Sequence, residues 1–207
     1  MELFYSVALA VSAFCLGACP FSLWIGHWLL GKDIRAYGDG NAGAFNVFRA
    51  GGRKSGCLAL ILDMAKGVPF VVLAHSFFGL PQVAVMAVGL SAILGSAFSP
   101  ILRFKGGKSL AVTCGVLFAL PQHQILIAII VFMLLALLFI EIDAWRVVFA
   151  SAGSLIYLVS TTGISLESLF MLCVLAILAA KHSKDLRTIP RFNARPVAWL
   201  RTRKRET

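Results

Sequence analysis

A succession of long apolar runs constrains this chain more than anything else in it. The first runs from Leu3 to Leu30 without a lysine, arginine, aspartate or glutamate. Six more follow, at about Gly56–Phe78, Gln82–Phe98, Leu110–Leu120, Ile125–Ile140, Val147–Thr161 and Leu166–Ala180. A helix needs about 20 mainly apolar residues to cross a bilayer, so runs of this kind read as spans. Composition agrees: 59% of residues are hydrophobic and mean hydropathy is +0.89, against an apolar share of about 45–50% in ordinary soluble domains. The sequence predicts an all-α integral membrane protein with seven transmembrane helices. Residues 1–183 form a single bundle and 184–207 a basic tail. Pro20 is expected to kink the first run. The fourth run is short, which predicts that its helix begins back in the preceding GGK segment.

The charges orient the spans. Lys32, Arg35, Arg49, Arg53 and Lys54 crowd the first loop, Arg103, Lys105 and Lys108 the third, and Arg146 the fifth, whereas the N-terminus and the intervening loops carry no basic residue except the neutral histidines. Cytoplasmic loops collect lysine and arginine, so the N-terminus is expected outside and the C-terminus in the cytoplasm. From Lys181 onward the chain carries +7 of its net +10. A basic segment beside a membrane helix is drawn to anionic lipid headgroups, and this explanation is preferred to nucleic-acid binding.

The five cysteines, Cys15, Cys19, Cys57, Cys114 and Cys173, lie in apolar runs with no metal-ligand spacing, so no metal site is expected. Leu16-Gly17-Ala18-Cys19 has the form of a lipoprotein cleavage box. The apolar run continues past it to Leu30, however, and no lysine or arginine precedes it, which argues against cleavage.

The most distinctive polar stretch is GDGNAGAFNVFRAGG, residues 38–52. Its five glycines, with Asn41, Asn46 and Arg49, suit either close backbone approach to an anion or a flexible connector. Two glycines flanked by cations in RFKGGKS, residues 103–109, offer a second anion seat ahead of a helix start. It is not a P-loop, because the first glycine and spacer of GxxxxGK[ST] are missing. A third cluster, KHSKDLR at 181–187, ends the last run. Arg49, Lys108 and His182 are therefore candidates to hold one anion at the cytoplasmic membrane edge. No nucleophile with a paired base is visible, which favours catalysis by positioning and charge stabilisation. Asp63 and Lys66 share a helical face inside the second run, as a structural ion pair or a substrate contact.

Taken together, these segments resemble the bacterial acyl-phosphate:glycerol-3-phosphate acyltransferases. GDGNAGAFNVFRAGG followed by GCLALILDMAKG is similar to the family's first motif, GSGNxGATNxxR with a downstream DxxKG. RFKGGKSLAVTCG is similar to the second, FKGGKGVAT, and KHSKD to the third, HxxN. LGACPFSLWIG resembles the family's LGSIPFG opening. The resemblance covers the chain to about Asp185, in order. It implies attack of the glycerol 3-phosphate hydroxyl on an acyl phosphate, giving lysophosphatidic acid, with no cofactor and no coenzyme A donor. It further implies a multi-pass protein of the bacterial inner membrane, here expected to be a monomer among membrane lipids. By this resemblance Arg49, Lys108 and His182 are the catalytic basic residues. Gly38, Gly40, Asn41, Gly43, Asn46, Lys105, Gly106, Gly107, Ser151 and Asp185 then contact substrate or phosphate.

The chain also departs from the pattern. Asp39 stands where the family has serine, Phe45 where it has threonine, Ser96 where it has histidine, Ser109 where it has glycine, Asp185 where it has asparagine and Thr188 where it has arginine; the closing GxE is missing. Two added carboxylates raise the cost of binding phosphate unless each meets a cation. The chain therefore reads as a divergent member. The alternatives are a paralogue that binds lipid or a partner without this chemistry, and a small transporter using Asp63 and Lys66.

Overall fold

The computed structural model describes residues 1–188, so most of the basic tail lies outside the described residues. The described chain is helical and divides into two compact units, residues 1–123 and residues 124 onward.

In the first unit, α1 (Glu2–Ala18) and α2 (Phe21–Leu30) come from a single apolar run. Pro20 has no N–H to continue the helix, and its carbonyl restarts the next one by accepting from Leu23 N and Trp24 N at 3.0 and 3.1 Å. After α2 come α3 (Ala44–Arg49), α4 (Arg53–Ala65), α5 (Pro69–Val72) and a π turn over Leu73–Phe77. Next are α6 (Gln82–Ala97) and α7 (Leu110–Ala119). α1 and α6 pack at backbone contact: a Cβ on Gly17 would lie 2.2 Å from the Ala92 carbonyl oxygen, and one on Gly95 2.1 Å from that of Phe14. Small residues at such a crossing allow the close approach that dispersion requires where lipid is no less apolar than a side chain.

The helix break at Cys19 and Pro20 exposes carbonyls that would be costly to bury unpaired. Ser99 Oγ donates to the Ala18 carbonyl at 2.6 Å, and Lys66 Nζ donates to that of Cys19 at 2.9 Å. Lys66 also pairs with Asp63 at 3.0 Å, and Asp63 accepts from Ser22 Oγ. Both charged side chains are nearly inaccessible, at 5% and 10% exposure. The intramembrane pair is thus a pin across a helix break, with each charge met by protein groups.

The second unit contains α8 (His123–Phe139) from its second residue onward, α9 (Asp143–Thr162) and α10 (Leu166–His182). α9 packs on α10. Ser165 and Ser168 form a capping box at the start of α10, where the Ser165 hydroxyl accepts from Ser168 N and the Ser168 hydroxyl from Ser165 N. At the start of α9, Arg146 bonds the Asp143 carboxylate and the Ile140 carbonyl, both at 2.6 Å.

Among the described residues, four helical segments are long and apolar enough to cross a membrane: Glu2–Leu30, Arg53–Phe77, Gln82–Leu102 and Asp143–Thr162. α8 and α10 have 17 residues each, and α7 only 10. The expected start of α7 inside GGK is corrected. Residues 105–108 are non-helical, and Ser109, at the N-cap, has φ +59°, a left-handed conformation that cannot belong to a right-handed helix. Large apolar side chains such as Leu3, Phe4, Val7 and Val11 point outward from α1, as a lipid-facing surface requires.

Candidate anion site in the first unit

The glycine-rich stretch folds as a tight loop leading into α3. Before it, Asp33 caps a 3-10 turn at Ile34–Ala36 and holds the Arg35 guanidinium, with Arg35 Nη2 at 2.7 Å. The Arg35 side chain, by hydrogen bond and charge, lowers the Asp33 pKa to about 2. Lys32 Nζ donates to the Ala50 carbonyl at 2.8 Å, tying the end of α2 to the end of α3. Gly38 has φ +60°, and a Cβ there would lie 2.2 Å from Arg49 Nη1 and 2.4 Å from Asn46 Oδ1. Glycine at this position therefore both makes the turn and lets those two side chains lie across the backbone.

The centre of the loop is the Asp39 carboxylate. It accepts from Asn41 Nδ2 and Asn46 Nδ2 at 2.8 Å and from Asn41 N at 3.2 Å, and pairs with Lys108 Nζ at 2.8 Å. Asn46 is buried, donates also to the Asn41 carbonyl at 2.8 Å, and accepts from Arg49 Nη1 at 3.3 Å. Burial pushes the Asp39 carboxyl pKa up, but the hydrogen bonds from Lys108, Asn41 and Asn46 outweigh it and hold the group well below the ordinary carboxylate range. At neutral pH Asp39 is thus a charged acceptor and a poor proton acceptor in catalysis.

Lys108 is carried to this point by the extended segment before α7. Gly106 passes against the end of α6, where a Cβ would lie 2.2 Å from the Ser96 carbonyl oxygen and 2.6 Å from that of Ala97. Gly107 lies beside the first loop, its Cβ position 3.7 Å from the Ala42 carbonyl oxygen. Gly106→Ala is expected to push this strand outward by about 1 Å and lower turnover by about 100-fold while the helices remain folded, since catalytic groups tolerate little misplacement. Turnover measured beside helical circular dichroism checks this; unchanged turnover would contradict it.

Beside the carboxylate cluster, Arg35, Gly40, Ala42, Ile101, Leu102, Arg103 and Lys105 line a cavity of about 470 Å³. Three cations, loop backbone and two branched aliphatic side chains thus meet at one opening. Arg103, which lines it, and Phe104, the next residue, both have left-handed backbones, φ +53° and +62°.

Gly38, Gly40, Asn41, Asn46, Arg49, Gly107 and Lys108 are brought together in the first unit, with Gly43 at the N-cap of α3, Gly106 against α6 and Lys105 on the adjoining cavity. Ser151, His182 and Asp185 belong to the second unit. Ser151 is fully buried in α9, and its hydroxyl has no hydrogen-bond partner among the described residues. His182 is buried at the end of α10 with Nδ1 2.8 Å from the Leu178 carbonyl oxygen. A carbonyl only accepts, so Nδ1 carries a hydrogen. Asp185 opens a 3-10 turn whose carbonyl accepts from Thr188 Oγ1 at 2.6 Å. Phe45 is exposed, so the residue in place of the family's threonine does not fill the loop. Arg35 and Arg103 join the predicted site residues only in the folded chain, where both line the cavity; their presence in the same two basic loops is the one signal the sequence carries for them.

Helices with apolar outer faces, joined by loops whose asparagine and lysine donors converge on a carboxylate with an arginine held beside them, define a membrane protein suited to holding an oxyanion. Residues 7–191 match the family model for glycerol-3-phosphate acyltransferase. A glycerol-3-phosphate acyltransferase of Lactococcus lactis subsp. lactis (strain IL1403) is 33% identical over 190 residues, covering 88% of this chain and 89% of its own. That of Geotalea daltonii is 32% identical, covering 88% and 93%. The crystal structure of PlsY (YgiH), an integral membrane glycerol 3-phosphate acyltransferase, in its glycerol 3-phosphate form superposes with a TM-score of 0.75 at 30% identity, covering 93% of this chain and 98% of that one. Its lysophosphatidic acid form superposes with a TM-score of 0.73, covering 88% and 90%. The chain belongs to the glycerol-3-phosphate acyltransferase family, integral membrane enzymes of phospholipid biosynthesis.

Proposed function

We propose that this enzyme transfers an acyl group from an acyl phosphate to a hydroxyl of glycerol 3-phosphate, giving lysophosphatidic acid and inorganic phosphate. The hydroxyl oxygen attacks the acyl carbonyl carbon, the bond from that carbon to the phosphate oxygen breaks, and the hydroxyl proton ends on the phosphate, which leaves as hydrogen phosphate. The observation carrying this reading is the convergence of Asn41, Asn46 and Lys108 on an oxyanion, with the Arg49 guanidinium held beside it. Such donors compensate the negative charge of two phosphate groups brought close together, and placement of the reactants supplies much of the rate. The mixed cationic and aliphatic cavity suits an amphiphile with a phosphate head, which fits an acyl phosphate.

Arg49, Lys108 and His182 are assigned as the catalytic basic residues, the last on the resemblance of KHSKD to the third motif. Gly38, Gly40, Asn41, Gly43, Asn46, Lys105, Gly106 and Gly107 are assigned to phosphate binding, and Ser151 and Asp185 to substrate contacts. The basic loops support an arrangement of seven spans, N-terminus outside, in a bacterial cytoplasmic membrane. The test supplies the protein in membranes with glycerol 3-phosphate and either palmitoyl phosphate or palmitoyl-coenzyme A. Lysophosphatidic acid formed with equimolar phosphate release from the acyl phosphate is the expected result. Product formed only from the coenzyme A ester would overturn the donor assignment.

A further inference from the structure

We propose that Asp39 sets the affinity of this site for phosphate by occupying, as an internal carboxylate, the donors a substrate phosphate would otherwise take. The proposal rests on the reading of Asn41, Asn46 and Lys108 as phosphate-binding residues. Three side chains and one backbone amide converge on the two Asp39 oxygens, at 2.8 Å for each side-chain contact and 3.2 Å for the amide. This is the coordination expected for an oxyanion, and it is already complete. Asp39 and Lys108 keep 31% and 21% side-chain exposure, so the pair is partly open to solvent and is not sealed like Asp63 and Lys66.

The consequence follows from charge. Lys108, Arg49 and Asp39 sum to one positive charge, where the same loop with a neutral residue at position 39 carries two. A phosphate reaching Lys108 must either displace the carboxylate or lie against it, and a like charge within a few ångströms opposes binding in either case. A purely supporting carboxylate would hold the donors in place, and its removal would only weaken binding. An internal competitor has the opposite signature, because its removal tightens binding. The direction of the effect separates the two roles.

The same residue bears on selectivity. The burden of displacement falls on ligands that reach Lys108 and spares those held only by Arg103 and Lys105 in the adjoining cavity. Asp39 should thus act on the affinity of one of two phosphate-bearing substrates, and we assign the effect to glycerol 3-phosphate.

The experiment measures glycerol 3-phosphate binding by titration calorimetry, and its KM in the acyl phosphate assay, for the detergent-purified full chain, Asp39→Ser and Asp39→Asn. Asn keeps the size of the side chain and an oxygen for the Asn41 amide, so it guards against loss of the loop conformation. The expected result is roughly tenfold tighter glycerol 3-phosphate binding in both variants, with a matching fall in its KM and little change in the KM for acyl phosphate. If wild type binds and both variants bind equally or more weakly, Asp39 is a support and the proposal is overturned while the site assignment stands. If no form binds glycerol 3-phosphate, the site assignment and this proposal fall together.

Discussion

Lys108→Ala is expected to lower kcat/KM for lysophosphatidic acid formation by about 100- to 1,000-fold, the usual cost of deleting one preorganised donor to a charge-bearing oxygen. Lys108 is the cation that the loop before α7 contributes to the Asp39 cluster, and it arrives on a non-helical segment wedged against α6. The substitution removes this positive charge and leaves Asp39 ionised beside the phosphate, so two unfavourable changes act together. Lys108→Arg keeps the charge but not the compact ammonium geometry, and should recover only part of the loss. Steady-state kinetics in membranes decide the matter, and equal rates for wild type and Lys108→Ala would remove this residue from the reaction.

The second large effect concerns stability. Lys66→Ala is expected to destabilise the folded protein by about 3–5 kcal/mol, because it strands the buried Asp63 carboxylate. It also removes the donor to the Cys19 carbonyl at the α1–α2 break. Against a typical folding stability of about 5–15 kcal/mol this is a severe loss. Lys66→Met together with Asp63→Leu removes both charges, and should be far better tolerated than either single change. Thermal unfolding in detergent tests the pair. A single variant as stable as wild type would show that the two charges are not a structural pin. This reading also opposes a transport path through the second run, because each charge is met by protein groups away from solvent.

Hydropathy made the helices legible because a lipid-facing segment must be apolar along its length, and each apolar run contains a helix. The break at Pro20 was equally legible, since proline withholds a donor at a known position. Other features were not. The second run reads as continuous, yet α4 ends at Ala65, and α5 begins at Pro69 after Lys66-Gly67-Val68. Hydropathy averages over those residues and misses the change. The start of α7 was misplaced for a similar reason: the contact of Gly106 with the carbonyls of Ser96 and Ala97 is tertiary and leaves no local pattern.

The candidate site was legible in its parts but not in its pairing. Glycines beside asparagines and cations marked both loops, and the cost of a carboxylate at position 39 follows from charge alone. That Asp39 meets Lys108, 69 positions later, is a property of the folded chain. The pairing supplies the cation that a carboxylate there requires, and it moves Asp39 from a departure in the motif to the centre of the donor cluster.

The most direct test is a crystal structure of the full chain with glycerol 3-phosphate bound. Phosphate density is expected over the Gly38–Asn46 loop, with an oxygen about 2.7–2.9 Å from Lys108 Nζ. Phosphate bound elsewhere, with Lys108 still held by Asp39, would contradict it.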